Sequence, residues 1–137
     1  MLDAERIRAA GARAVQVNTG AGCHLDAPMV HDALEALEPS DGSLLFIENV
    51  GNLGCPALFD VGGHAKVVVI SVTEGDDKPL KYPHMFAAAD HVIVNKIDLL
   101  PYVDFDLDTL GKHVRSLNPN LEIMALSVRS RENIDSW

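Results

Sequence analysis

Residues Asn95-Lys96-Ile97-Asp98 directly follow the strand-like run His91-Val92-Ile93-Val94. A carboxylate in that place can accept hydrogen bonds from the ring N–H and the exocyclic amine of guanine. Adenine lacks that amine, would leave the carboxylate unpaired, and would be rejected. The aliphatic stem of Lys96 suits packing along a flat base, and Asn95 suits tying the loop to neighbouring backbone. The position fits the chemistry, because open α/β sheets bind ligands just beyond the carboxyl ends of their strands. Ser127-Val128 follows the last apolar run in the same way and is the candidate second base contact, through a backbone N–H. Val128 stands where a small residue would allow closer approach, which weakens that contact. Taken alone, Ser127 reads equally well as a surface serine.

Glu48 closes another apolar run, residues 44–47, and Gly51 follows three residues later. An acid at a strand end can hold a water of a bound Mg²⁺, and glycine lets backbone approach a terminal phosphate. Glu48 and Gly51 are therefore the catalytic candidates, against the alternative of a solvated loop glutamate. Cys23-His24 and Cys55 lie in two Gly-rich loops, each after an expected strand, so both loops are expected on the same edge of a sheet. Two thiolates and one imidazole suit a borderline divalent ion such as Ni²⁺ or Zn²⁺. Spacing by itself leaves open the reading of two buried cysteines and an incidental histidine, because there is no C-x-x-C. His31, His64, His84, His91 and His113 are scattered.

The elements that must position these residues alternate. Helices are predicted at residues 3–10, at 27–37 behind an Asp26 cap, around 84–89, and at 106–116 behind an Asp106 cap. Pro28 falls in a first turn, where proline is tolerated. Strands are predicted at 13–17, 44–47, 66–72, 91–94 and 121–125, with a polar loop at 73–83 and a further helix start at the end of the sequence. Apolar runs alternating with helices predict an α/β fold, a mostly parallel sheet with helices on both faces. No internal boundary is expected.

Composition sets the limits. The 137 residues carry 11 basic and 20 acidic side chains, a formal net charge of −9, with 47% apolar residues. That is too apolar for disorder and fits one soluble domain. The acidic balance argues against broad nucleic-acid or anionic-membrane binding. No apolar run approaches the ~20 residues needed to span a bilayer, and residues 1–6 lack a signal-peptide pattern, so a cytoplasmic protein is expected. Two cysteines in such a setting are thiols or metal ligands rather than a disulfide.

Four runs are distinctive together: residues 15–27, with Cys23-His24-Leu25-Asp26; residues 46–56, with Glu48-Asn49-Val50-Gly51-Asn52 and Cys55-Pro56; residues 73–83; and Asn95-Lys96-Ile97-Asp98-Leu99-Leu100. In combination they closely resemble the hydrogenase nickel-incorporation GTPases, the B-type accessory proteins of nickel-iron hydrogenase maturation, over nearly the whole chain. The urease accessory GTPases are more distantly similar. The resemblance implies a P-loop GTPase domain that binds GTP and Mg²⁺, dimerises in the GTP state and hydrolyses GTP during nickel delivery. It implies a nickel metallochaperone (the A-type accessory protein) and the hydrogenase large subunit as partners. It also implies a Ni²⁺ or Zn²⁺ site near the dimer interface, built here from Cys23, His24 and Cys55.

Two departures stand out. Many family members carry a further histidine where this chain has Pro28. More important, no G-x-x-x-x-G-K-S/T run is present; Gly111-Lys112 is followed by His113. The family keeps this phosphate loop upstream of the segment matching residues 3–8, so residues 1–137 are read as a partial, amino-terminally truncated GTPase domain. Backbone amides of that loop cradle the phosphates and its lysine neutralises them, so weak or absent hydrolysis is expected. The competing readings are a non-catalytic metal-binding interaction module and a truncated gene product unable to fold stably.

Overall fold

In the computed structural model, residues 2–20, 24–49 and 61–137 are described. The chain divides into two compact units, Met1–Gly63 and His64–Trp137.

The second unit holds a three-stranded sheet: β1 (Val67–Ser71), β2 (His91–Asn95) and β3 (Glu122–Ala125), in the order β1-β2-β3. Both pairings are parallel, with Val67 opposite His91 and Ser71 opposite Asn95, then His91 opposite Glu122 and Val94 opposite Ala125. The β-branched run of β1 favours the pleated, half-buried surface of a strand. Parallel neighbours need long crossovers, and here these are helical. Helices α3 (Lys78–Lys81) and α4 (Pro83–Ala88) join β1 to β2, and α5 (Leu107–Leu117) joins β2 to β3. Val68, Ile70, Val92 and Val94 share one sheet face and form a buried core with Phe86 of α4 and Leu110 and Val114 of α5. On the other face Val67 and Val69 are exposed. The fold class is α/β, a parallel sheet with helices, as the alternating pattern predicts.

Local chemistry sets the helix ends. Asp106 caps α5, its carboxylate accepting from the N–H groups of Asp108 (2.8 Å) and Thr109 (2.9 Å). The expected loop at 73–83 is instead partly helical, with a 3-10 turn at Val72–Glu74 followed by α3. The reason is local pairing. The Ser71 hydroxyl accepts from the Thr73 N–H, and the (i, i+4) pairs Glu74–Lys78 (3.0 Å) and Asp77–Lys81 (2.7 Å) support a turn that the apolar pattern does not signal. The helix start expected at the end of the sequence is a short 3-10 turn, Ile134–Ser136.

The first unit carries α1 (Leu2–Ala9) and α2 (Ala27–Leu37). The Asp26 carboxylate accepts from the Met29 N–H at 2.9 Å, and α2 ends at Glu38, left-handed at φ 45°, whose N–H reaches the Leu34 carbonyl at 2.9 Å. The strands expected at 13–17 and 44–47 are not formed; neither segment pairs in a ladder among the described residues. Leu44 and Phe46 are 81% and 72% exposed. An apolar run supplies a strand's buried face but not its neighbour. Here the guanidinium of Arg8 takes the Ala14 carbonyl at 3.0 Å, and that of Arg13 takes the Glu38 carbonyl at 3.2 Å. Among the described residues no helix is long and apolar enough to cross a membrane.

Candidate nucleotide-base site

Two loops leave the carboxyl ends of neighbouring strands β2 and β3, and backbone bonds lock them together. The Leu126 N–H donates to the Val94 carbonyl at 2.9 Å and the Ile97 N–H to the Leu126 carbonyl at 3.3 Å, extending the ladder past both strands. Lys96 then turns the chain in a left-handed conformation (φ 65°) into a 3-10 helix, Ile97–Tyr102. Burial of the Ile97 side chain anchors that turn and leaves Lys96 exposed and Asp98 half-buried beside it.

Side chains complete the joint. The Ser127 hydroxyl donates to Asp98 Oδ1 at 2.6 Å, a short bond of the charge-assisted kind. Ser127 Oγ in turn accepts from the Ser130 N–H at 3.1 Å, so Ser127, fully buried, is satisfied on both sides. Asn95 Oδ1 accepts from the Lys96 N–H at 2.7 Å and the Val128 N–H at 3.3 Å, tying the first loop to the second. The second loop folds back on itself. The Ser127 N–H donates to the Glu132 carbonyl at 3.0 Å, and Asn133 Nδ2 to the Ala125 carbonyl at 2.9 Å.

Asn95, Lys96, Asp98, Ser127 and Val128 are thus brought into one place, with a carboxylate held from behind, an exposed lysine stem and an exposed Val128 at the rim. What the sequence did not signal is the hydroxyl of Ser127. Its place after a strand suggested only a backbone contact, whereas its side chain orients Asp98. A cavity of about 270 Å³ lined by His91, Ile93, Glu122 and Trp137 lies elsewhere, around the first residues of β2 and β3.

The remaining candidates fall in the first unit. His24 is half-buried and Glu48 exposed. Gly51, Cys23 and Cys55 lie outside the described residues. Among the described residues no three His, Cys, Asp or Glu side chains converge on a metal position. The donors proposed from the sequence, two thiols and one imidazole, remain chemically suited to a borderline divalent cargo ion.

Residues 1–125 match the family described as CobW/HypB/UreG, nucleotide-binding domain. The chain belongs to this family. It is 58% identical to the hydrogenase maturation factor HypB of Escherichia coli K12 over 135 residues, 98% of this chain and 47% of that one. The chain spans about half the length of the first curated relatives it matches. Among solved structures it is similar to the hydrogenase maturation factor HypB of Archaeoglobus fulgidus, with a TM-score of 0.90, 39% identity, and 99% of this chain and 66% of that one covered. It is equally similar to HypB of Helicobacter pylori in complex with nickel, with a TM-score of 0.90, 40% identity, and 98% and 64% covered. Nucleotide binding is the property that the family's description names.

Proposed function

We propose that this chain supplies the guanine-reading and metal-handling parts of a GTP-dependent nickel delivery protein acting in hydrogenase maturation in the cytoplasm. The observation that carries this reading is the Asp98 carboxylate, held by the Ser127 hydroxyl at 2.6 Å beyond the ends of two adjacent parallel strands. A carboxylate fixed in that way accepts two hydrogen bonds from guanine and none of equal quality from adenine. Lys96 packs along the base and the Val128 N–H turns from Asn95 to the base. Likeness to relatives whose names state hydrogenase maturation supports the process, and likeness to a nickel-bound relative supports the cargo.

In this reading residues 1–137 are a partial GTPase domain. Glu48 holds a water of the Mg²⁺ that accompanies GTP, Gly51 lets backbone approach the terminal phosphate, and Cys23, His24 and Cys55 hold Ni²⁺, or Zn²⁺ in its place. A GTP-dependent second copy, a nickel metallochaperone and the hydrogenase large subunit are the partners. No G-x-x-x-x-G-K-S/T run is present in these residues. The stabilisation that such a loop gives to the transferring phosphoryl group is missing, so the isolated chain binds GTP weakly and hydrolyses it poorly or not at all.

Titration with a fluorescent guanine nucleotide, with the adenine analogue as competitor, tests this reading. Guanine preference that disappears in Asp98→Ala supports it; equal binding of the two bases overturns it. Phosphate release at an ordinary GTPase rate from the purified chain would overturn the expectation of poor hydrolysis.

A further inference from the structure

The backbone N–H of Leu25, the residue after His24, donates to the side-chain oxygen of Asn49, the residue after Glu48, at 3.2 Å. The two residues are 24 apart in sequence. Leu25 is buried and the bond partly so, and a donor left unmet in such a place is costly. One residue further on, Asp26 caps α2 through the Met29 N–H. The segment after His24 is therefore pinned at two consecutive residues, by a helix end at Asp26 and by one side-chain amide at Leu25. The second pin comes from Asn49, the residue after Glu48.

We propose that Asn49 is a positioning residue for metal binding, setting the place of His24 by holding the Leu25 amide and so tying the residue after His24 to the residue after Glu48. The inference rests on the reading of Cys23, His24 and Cys55 as metal donors. It gives that reading a physical link, since a change at Glu48 reaches His24 through one hydrogen bond between adjacent residues. A carbonyl-type oxygen at position 49 is the chemical requirement. Aspartate keeps the acceptor and the shape; alanine removes it.

The test is the Zn²⁺ affinity of the full 137-residue chain, read by competition with a chromophoric chelator. Asn49→Ala is expected to weaken binding about tenfold, the scale on which partners behind metal ligands act. Asn49→Asp is expected to recover most of that loss, which a general loss of packing would not permit. A second measurement uses the unmutated chain: Zn²⁺ is expected to slow amide hydrogen exchange at Leu25. Parent-like affinity in Asn49→Ala, equal weakness in Asn49→Asp, or exchange at Leu25 unmoved by Zn²⁺ would each overturn the inference. The underlying metal reading fails separately. If Cys23→Ser and Cys55→Ser leave Zn²⁺ affinity unchanged there is no such site to position. If they abolish binding while Asn49→Ala keeps the parent affinity, the role of Asn49 alone is lost.

Discussion

The hydroxyl of Ser127, shut off from solvent, donates to Asp98 Oδ1 at 2.6 Å across two loops that leave adjacent parallel strands. One atom fixes the carboxylate and, by accepting from the Ser130 N–H, also holds the loop that carries Val128. Ser127→Ala removes both bonds at once. A hydrogen bond to a charged group contributes about 1.5–3 kcal/mol, so the variant is expected to lose about that much stability. Urea denaturation reads this directly. Guanine-over-adenine preference is expected to shrink with it, because Asp98 is then free to rotate. Undiminished stability in Ser127→Ala would show that the short contact contributes nothing.

The loop that closes behind Ser127 contains two left-handed residues that are not glycine, Arg131 at φ 64° and Asn133 at φ 57°. A left-handed backbone costs an ordinary side chain roughly 1–2 kcal/mol, while asparagine tolerates it. Arg131→Gly is therefore expected to stabilise the chain by about 0.5–1 kcal/mol after the greater unfolded-state freedom of glycine is deducted. Asn133→Gly is expected to go the other way, because Asn133 Nδ2 holds the Ala125 carbonyl at 2.9 Å. Opposite shifts in the denaturation midpoint of the two variants check the argument; equal shifts refute it.

The elements readable from sequence are those with local causes. The bounds of α2 follow from the Asp26 cap, Pro28 in the first turn and the Val30, Ala33, Leu34, Leu37 stripe. The start of α5 follows from Asp106, and β1 from its valines. What could not be read depends on neighbours. Residues 44–47 look like a buried strand because they are apolar, but a ladder needs a partner with free carbonyls and amides. The turn at 72–74 and helix α3 hide in a polar stretch because their support is ionic rather than apolar. At the proposed base site, Asn95, Lys96 and Asp98 were legible as a chemical pattern. The hydroxyl of Ser127 and the amide of Asn49 were not, since each acts on a residue more than twenty positions away.

Asp106 makes a pH-dependent contribution whose sign is set by its bonds. The Thr109 N–H, followed by that of Asp108, holds its carboxyl below the ordinary value of 3.8. A depressed carboxyl stabilises the fold fully above its unfolded pKa, and that contribution is lost as pH falls through the lower folded value. Acid should therefore uncap α5 and lower the denaturation midpoint below about pH 4. Asp106→Asn keeps a capping oxygen that does not titrate, so its midpoint is expected to depend less on pH across that window. Identical pH profiles for the two proteins would show that the cap is not the titrating element.

Metal binding through thiolates carries its own pH signature. Cys23 and Cys55 lie outside the described residues, so the case for them is chemical. A thiol must lose its proton to ligate, and imidazole must be neutral. Zn²⁺ affinity of the chain is expected to fall as pH drops from 8 to 6, with about two protons released per ion if both thiols participate. Cys23→Ser and Cys55→Ser are each expected to reduce that count by about one and weaken binding strongly. His24→Ala keeps both thiol protons in play while removing one donor, so affinity should drop with proton release nearly intact. Calorimetry in buffers of different ionisation enthalpy measures the count. Binding without proton release would place the ion on oxygen or neutral imidazole donors instead, and would remove Cys23 and Cys55 from the site.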